Sequence, residues 1–173
     1  MPRRRVPRPL RVLAGFAGGL ALWLLLAGPY HRLVGAVAGS AFRAEGEGAI
    51  AVSAGREVVI AGPVEQPRAR VRVSMAPVTS NLVLLAALWM WDPRPLGRWK
   101  WGVIALAALA AGHVIAVIAA IHSGLAVSLE GATGERYGAA EANFWFALWQ
   151  GYQVVGAWAL AFGAFWATRR SAE

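Results

Sequence analysis

The sequence predicts a membrane α-helical protein with about four transmembrane helices and a small strand-rich extracytoplasmic segment between the first and the second. Three observations carry this. Hydrophobic residues make up 58% of the 173 and charged residues 15%, against roughly 45–50% and about 25% in ordinary soluble domains. The apolar residues gather into long runs without charge. The net charge of +8 sits at the ends of those runs, which is the membrane pattern and not that of a basic nucleic-acid-binding face. A nucleic-acid partner is excluded on that ground, and the length suits one domain.

The basic start, residues 1–11, carries five arginines and belongs at the lipid headgroups. Residues 12–30 follow as nineteen uncharged residues, which at ~1.5 Å per residue nearly cover a hydrocarbon core of ~30 Å. They are read as the first span. The competing reading is a cleaved signal peptide, because Ala36-Val37-Ala38 fits the small-x-small cleavage rule. The apolar run exceeds the usual ~7–15 residues of such peptides, which favours an anchor.

Residues 31–77 form the extracytoplasmic segment. Residues 33–42 extend the first helix as an amphipathic stretch, after which glycines and prolines separate three strand-like runs at 49–54, 57–61 and 69–75. The last alternates cleanly, with Val71, Val73 and Met75 on one face and Arg70, Arg72 and Ser74 on the other. A three-stranded sheet is too small to hold a core alone and must rest on helices, bilayer or a partner.

The second span, 78–91, is only fourteen residues long, so tilt or local thinning must absorb the deficit. The basic loop 92–100 carries Arg94, Arg98 and Lys100. Trp89, Trp91, Trp99 and Trp101 flank it, and tryptophan favours the headgroup level. The third span is 101–121, the outer loop 122–143, the fourth span 144–167 and the tail 168–173. Segments placed inside hold ten Lys/Arg and two acids, while those outside hold seven of each. The positive-inside rule therefore puts both termini in the cytoplasm.

Candidate sites are few. There is no cysteine, which removes disulfides, thiolate metal sites and cysteine nucleophiles together. No carboxylate pair lies in a span and no phosphate-binding glycine loop is present, so no catalytic residue, metal site or cofactor is expected. His113 is the ionisable group within a span, and such residues are functional hypotheses by default. It is read as an interhelical hydrogen bond, a haem ligand or a proton relay. Asn143, Gln150 and Gln153 share a face of the fourth span, and with Asn81 they complete a candidate intramembrane polar cluster around His113. That cluster is structural glue or the lining of a ligand cavity. Gly15 and Gly19 form a G-x-x-x-G, which permits close helix contact either within the chain or between copies. Arg68, Arg70 and Arg72 make an extracytoplasmic basic stripe that could hold acidic groups or pair with nearby glutamates.

Two stretches together resemble a known family. One is the first span ending in Gly28-Pro29-Tyr30, followed by Leu33 and the strand-rich segment. The other is Thr79-Ser80-Asn81-Leu82-Val83-Leu84-Leu85-Ala86-Ala87-Leu88, then a basic loop, then Gly112-His113-Val114. They resemble the small membrane proteins encoded beside exosortases, in particular the exosortase H-associated type. The resemblance implies a bacterial inner-membrane protein that supports protein sorting at the cell envelope. It also implies another membrane protein as partner, an exosortase or its substrate, with no chemistry of its own. Exosortases act through a catalytic cysteine, arginine and histidine, and the missing cysteine means that this activity does not carry over. The expected function is thus a non-enzymatic accessory or scaffold protein. The alternative is a small haem- or quinone-binding subunit using His113.

Overall fold

The computed structural model describes residues 7–44, 50–52, 57–61, 70–92, 99–129 and 137–170. Most of the arginine-rich start, the loop residues Arg94 and Arg98, and Arg68 of the basic stripe lie outside the described residues. The described part is mostly helical. Helix α1 spans Arg8–Ala44. Strands β1 (Ile50–Val52), β2 (Glu57–Ala61) and β3 (Arg70–Ser74) follow. Helices α2 (Met75–Thr79), α3 (Asn81–Trp91), α4 (Trp99–Leu129) and α5 (Ala139–Gly151) come next, then a π-helical turn (Tyr152–Gly156) and α6 (Ala157–Arg170).

Helix α1 does not stop at residue 30. At ~1.5 Å per residue its 37 residues reach about 55 Å, well beyond a bilayer core. Pro29 sits inside it and removes one backbone donor, the N–H that would have met the Leu25 carbonyl. Among the described residues two helices, α1 and α4, are long and apolar enough to cross a membrane; Met75–Trp91 is apolar but shorter. Only 6% of the most apolar stretch of α1 is buried, against 44% for α4. Helix α4 is therefore the central element and α1 an outer one.

Helices α1 and α3 run antiparallel. A Cβ on Gly15 would meet Met90 at 2.5 Å, one on Gly19 would meet Ala86 at 2.7 Å, and Trp23 reaches Thr79. Helix α2 passes into α3 through a single turn at Ser80, whose N–H bonds the Ala76 carbonyl. Helices α5 and α6 continue one another through the π turn, because Tyr152 and Ala157 at the junctions both keep right-handed helical backbone. At the end of the bundle opposite the sheet, Arg169 of α6 pairs with Asp92 at 3.4 Å.

The sheet is antiparallel in the order β1-β2-β3. Ile50 pairs with Ile60 and Val52 with Val58; Val58 in turn pairs with Val73 and Ile60 with Val71. The alternation in β3 has its physical effect here: Val71, Val73 and Met75 are buried, while Arg72 and Ser74 are exposed. Val71 faces α4, where a Cβ on Gly124 would stand 2.5 Å from it. The main hydrophobic cluster lies at this end, joining Val34 and Ala38 of α1 to Val71, Val78, Val117 and Ile121. A smaller cluster of Leu85, Leu109 and Phe165 fills the other end. Between them the bundle leaves large apolar side chains outside, among them Leu24, Leu25, Leu26, Val154, Trp158 and Phe162.

Candidate functional site

The centre of the molecule is polar. His113 lies midway along α4 with 0% exposure. Leu109 and Val117, one turn to either side, are equally buried, so the face that carries His113 is turned inward along its length. Two partners meet the imidazole. Tyr30 comes from α1, directly after Pro29, and its hydroxyl lies 2.6 Å from Nδ1. Asn81 opens α3, just past the turn at Ser80, and its Oδ1 lies 2.7 Å from Nε2. The Asn81 amide nitrogen donates to the Ala157 carbonyl at 3.0 Å.

These contacts determine the tautomer. The Ala157 carbonyl can only accept, so the Asn81 NH₂ must face it and the Asn81 oxygen must face His113. His113 therefore carries its proton on Nε2 and donates it, and its Nδ1 lone pair accepts from the Tyr30 hydroxyl. The chain Tyr30–His113–Asn81–Ala157 crosses four helices, α1, α4, α3 and α6. The π turn immediately before Ala157 is of a kind frequent at functional sites.

A second polar node lies two residues before Asn81. Thr79 is fully buried, and its hydroxyl donates to the Met75 carbonyl at 3.0 Å. Its oxygen then accepts from Trp23 Nε1 at 3.1 Å and from His31 Nε2 at 2.9 Å. His31 is 4% exposed and meets the Trp23 ring edge-on at 6.2 Å. Thr79→Val keeps the shape and strands both donors. We expect it to lower stability by about 1–3 kcal/mol, read as a fall in the unfolding midpoint in detergent, with Thr79→Ser restoring most of it. An unchanged midpoint in the valine variant would show that Trp23 and His31 find other acceptors.

The third histidine, His122, sits nearer the sheet end of α4. Its Nδ1 lies 2.8 Å from the Tyr137 hydroxyl, and its ring stacks on Trp145 at 4.2 Å and 15°. Tyr152, in the π turn, donates to the Val78 carbonyl at 2.7 Å. Each of the three histidines thus pairs with a hydroxyl and touches an aromatic ring.

The residues expected to surround His113 divide. Asn81 bonds it directly. Gln150 and Gln153 do not bond it: both are exposed and line a cleft of about 500 Å³ with Arg72, Ser74, Ser123 and Phe146, and Gln153 also borders a cleft of about 450 Å³ that Asn81 and Ala157 line. The two glutamines do share a face, but that face looks toward β3. Asn143 is exposed on α5 and joins neither group. Of the basic stripe, Arg72 reaches the cleft and Arg70 lies in β3 opposite Ala61. Gly15 and Gly19 serve packing within the chain, against α3. Sequence reasoning missed Tyr30, His31 and Thr79. The signal was masked: Gly28-Pro29 reads as a helix stop just before Tyr30 and His31, whereas the helix runs on through Pro29 and carries both residues inward.

Chemically the arrangement holds helices together. Both nitrogens of His113 are engaged, so neither is presented to a metal. A proton passed along the chain would end at an amide and a backbone carbonyl, which cannot hand it on. Among the described residues no three His, Asp or Glu side chains converge on a metal position. No protein-family model, curated protein or solved structure matches this chain.

Proposed function

We propose that the chain is a four-span accessory protein of the bacterial inner membrane that scaffolds a larger envelope complex and performs no chemistry itself. One observation carries this reading: the completely buried His113 has both ring nitrogens taken up by Tyr30 and Asn81. A haem ligand needs a free nitrogen, and a quinone site needs a donor that faces a cavity. Here the donors and acceptors face each other, which is what interhelical locking requires.

The arrangement in the membrane has its own support. Arg11, Asp92 and Arg169 gather at one end of the bundle, and the sheet and Tyr137 lie at the other. With the charge asymmetry of the sequence, this favours spans by α1, α2–α3, α4 and α5–α6, both termini in the cytoplasm and the sheet outside. On the outer side the cleft between β3 and α5, with Arg72, Gln150 and Gln153, is the surface that a partner would meet. The resemblance to exosortase-associated proteins supplies the kind of partner: a membrane protein of an envelope-sorting system.

Reporter fusions and co-isolation test this together. Fusions at Gly62 and Gly134 should read external, and those after Arg98 and at the C-terminus cytoplasmic. The tagged chain should bring down an exosortase from its native membranes, and Gln150→Trp with Arg72→Glu should abolish that capture while leaving the chain inserted. A haem absorption band in the purified protein, or a cytoplasmic reading at Gly62, would overturn the proposal.

A further inference from the structure

Among the described residues, two buried side-chain nitrogens have no hydrogen-bond partner in the chain: Arg11 Nε and Trp89 Nε1. Both belong to the α1–α3 pair and to the same end of it. Since Gly15 lies against Met90, Trp89 stands level with the turn of α1 that follows Arg11, about 6 Å further from the end of the helix at ~1.5 Å per residue. Beyond them, α1 and α3 leave an apolar groove of about 550 Å³ between them. Trp89 forms one wall, and Leu22, Leu26, Ala27 and Leu85 form others.

From the end of the bundle inward, the seam therefore carries an unpartnered guanidinium N–H and then an unpartnered indole N–H, both just beneath the surface, and then a long apolar slot. We propose that this seam holds one anionic diacyl phospholipid of the cytoplasmic leaflet. Its phosphate accepts from Arg11, an ester carbonyl accepts from Trp89 Nε1, and one acyl chain lies in the groove. The order of groups matches the order of donors: phosphate outermost, ester next, hydrocarbon last. A guanidinium binds phosphate strongly because the hydrogen bond is charge-assisted and the fork is planar. A buried donor without an acceptor is costly, and an acceptor from outside the chain removes that cost. The neighbouring acid does not oppose the phosphate, because Asp92 is matched by Arg169. The proposal rests on the membrane-spanning reading given above.

The test uses the full chain in vesicles of equal parts phosphatidylglycerol and phosphatidylcholine, with ubiquinone added in a parallel sample. After alkaline carbonate washing and mild detergent extraction, native mass spectrometry counts what stays bound. One phosphatidylglycerol per chain is expected. Arg11→Gln should cut the preference for phosphatidylglycerol by about tenfold, the size of one charge-assisted hydrogen bond. Trp89→Phe should reduce retention of both lipids, and Ala27→Phe, which places a ring in the groove, should abolish it. Arg11→Gln leaves the apolar packing in place, so a folding defect in Ala27→Phe, or in Trp89→Phe beside the Leu85, Leu109 and Phe165 cluster, does not remove the test. Retention of ubiquinone instead, of no lipid at all, or of equal lipid in wild type and all three variants would overturn the proposal. Release of the chain by carbonate would overturn the membrane reading itself, and with it this one.

Discussion

Leucine at Gly19 is expected to open the seam between α1 and α3 and to lower stability by about 2–3 kcal/mol, in the upper range for overpacking. The first atom added already stands 2.7 Å from the Ala86 Cβ, with Val83 backbone atoms at 3.4 and 3.5 Å. A Cβ cannot rotate away, so one helix must move. Gly15→Leu meets Met90 Cβ at 2.6 Å and the Ala86 carbonyl at 3.1 Å, and the effect should be of the same size. Gly18 is the internal control, because a Cβ there meets nothing within 4 Å. Gly18→Leu should be neutral, or slightly stabilising through the better helix propensity of leucine. Unfolding midpoints of the three variants in one detergent check this. Equal midpoints for Gly18→Leu and Gly19→Leu would show that α1 does not pack on α3 through this face. Because Trp23 lies one turn beyond Gly19 and bonds Thr79, the shift should also disturb the second polar node.

Removing the imidazole is the other large effect. From the sequence alone, His113→Leu looks mild, because the polar group leaves together with its hydrogen bond. The tertiary structure changes that expectation. His113 joins two partners from two other helices, and leucine leaves the Tyr30 hydroxyl and the Asn81 oxygen behind without it. Stranded buried groups cost about 1–3 kcal/mol each in water-soluble proteins. Interhelical hydrogen bonds in membranes average only ~0.6 and reach ~1.7 kcal/mol, because the separated helices find other partners in the membrane. We take the membrane scale for each of the two bonds and expect a loss of about 1–3 kcal/mol. Asn81→Leu should cost a similar amount. The double variant should cost less than the sum, since the residues share one bond and contacting pairs couple by about 0.5–3 kcal/mol. His113→Asp should be worse than His113→Leu, because a carboxylate at this depth adds roughly 2.5–3.5 kcal/mol on insertion scales. Strict additivity of His113→Leu and Asn81→Leu would show that the two do not act as a unit.

Both effects concern the same architectural fact. The bundle has few large apolar contacts between α1 and the rest, and most of the α1 surface faces outward. Besides Val34 and Ala38 in the main cluster, close backbone approach at Gly15 and Gly19 and hydrogen bonds from Trp23, Tyr30 and His31 hold it. Lipid tails are as apolar as leucine, so in a bilayer such contacts, and not burial of leucines, decide association.

Much of this was legible in the chain. The uncharged run at 12–30 read as helical, since an apolar segment of that length, if it crosses a bilayer, can satisfy its backbone only within itself. The alternation at 69–75 dictated which side of β3 faces inward, because strand side chains alternate strictly. The spacing of Gly15 and Gly19 pointed to a close-packed face, and the three-residue spacing put Gln150 and Gln153 on one side. What the sequence could not decide was which surface each of these faces would meet. Periodicity gives the direction of a side chain about its own helix axis, but not the rotation or height of the neighbouring helix. So Gln150 and Gln153 border the cleft at β3 and bond neither His113 nor Asn81, although Gln153 also lines the cleft beside Asn81; the continuation of α1 past Pro29 brings Tyr30 to His113 and His31 to Thr79; and Ala157, just after the π turn, lies opposite Asn81. Hydrogen-bond partners are chosen within about 3 Å, a tolerance far finer than a helical repeat, and only the packed structure fixes positions that closely.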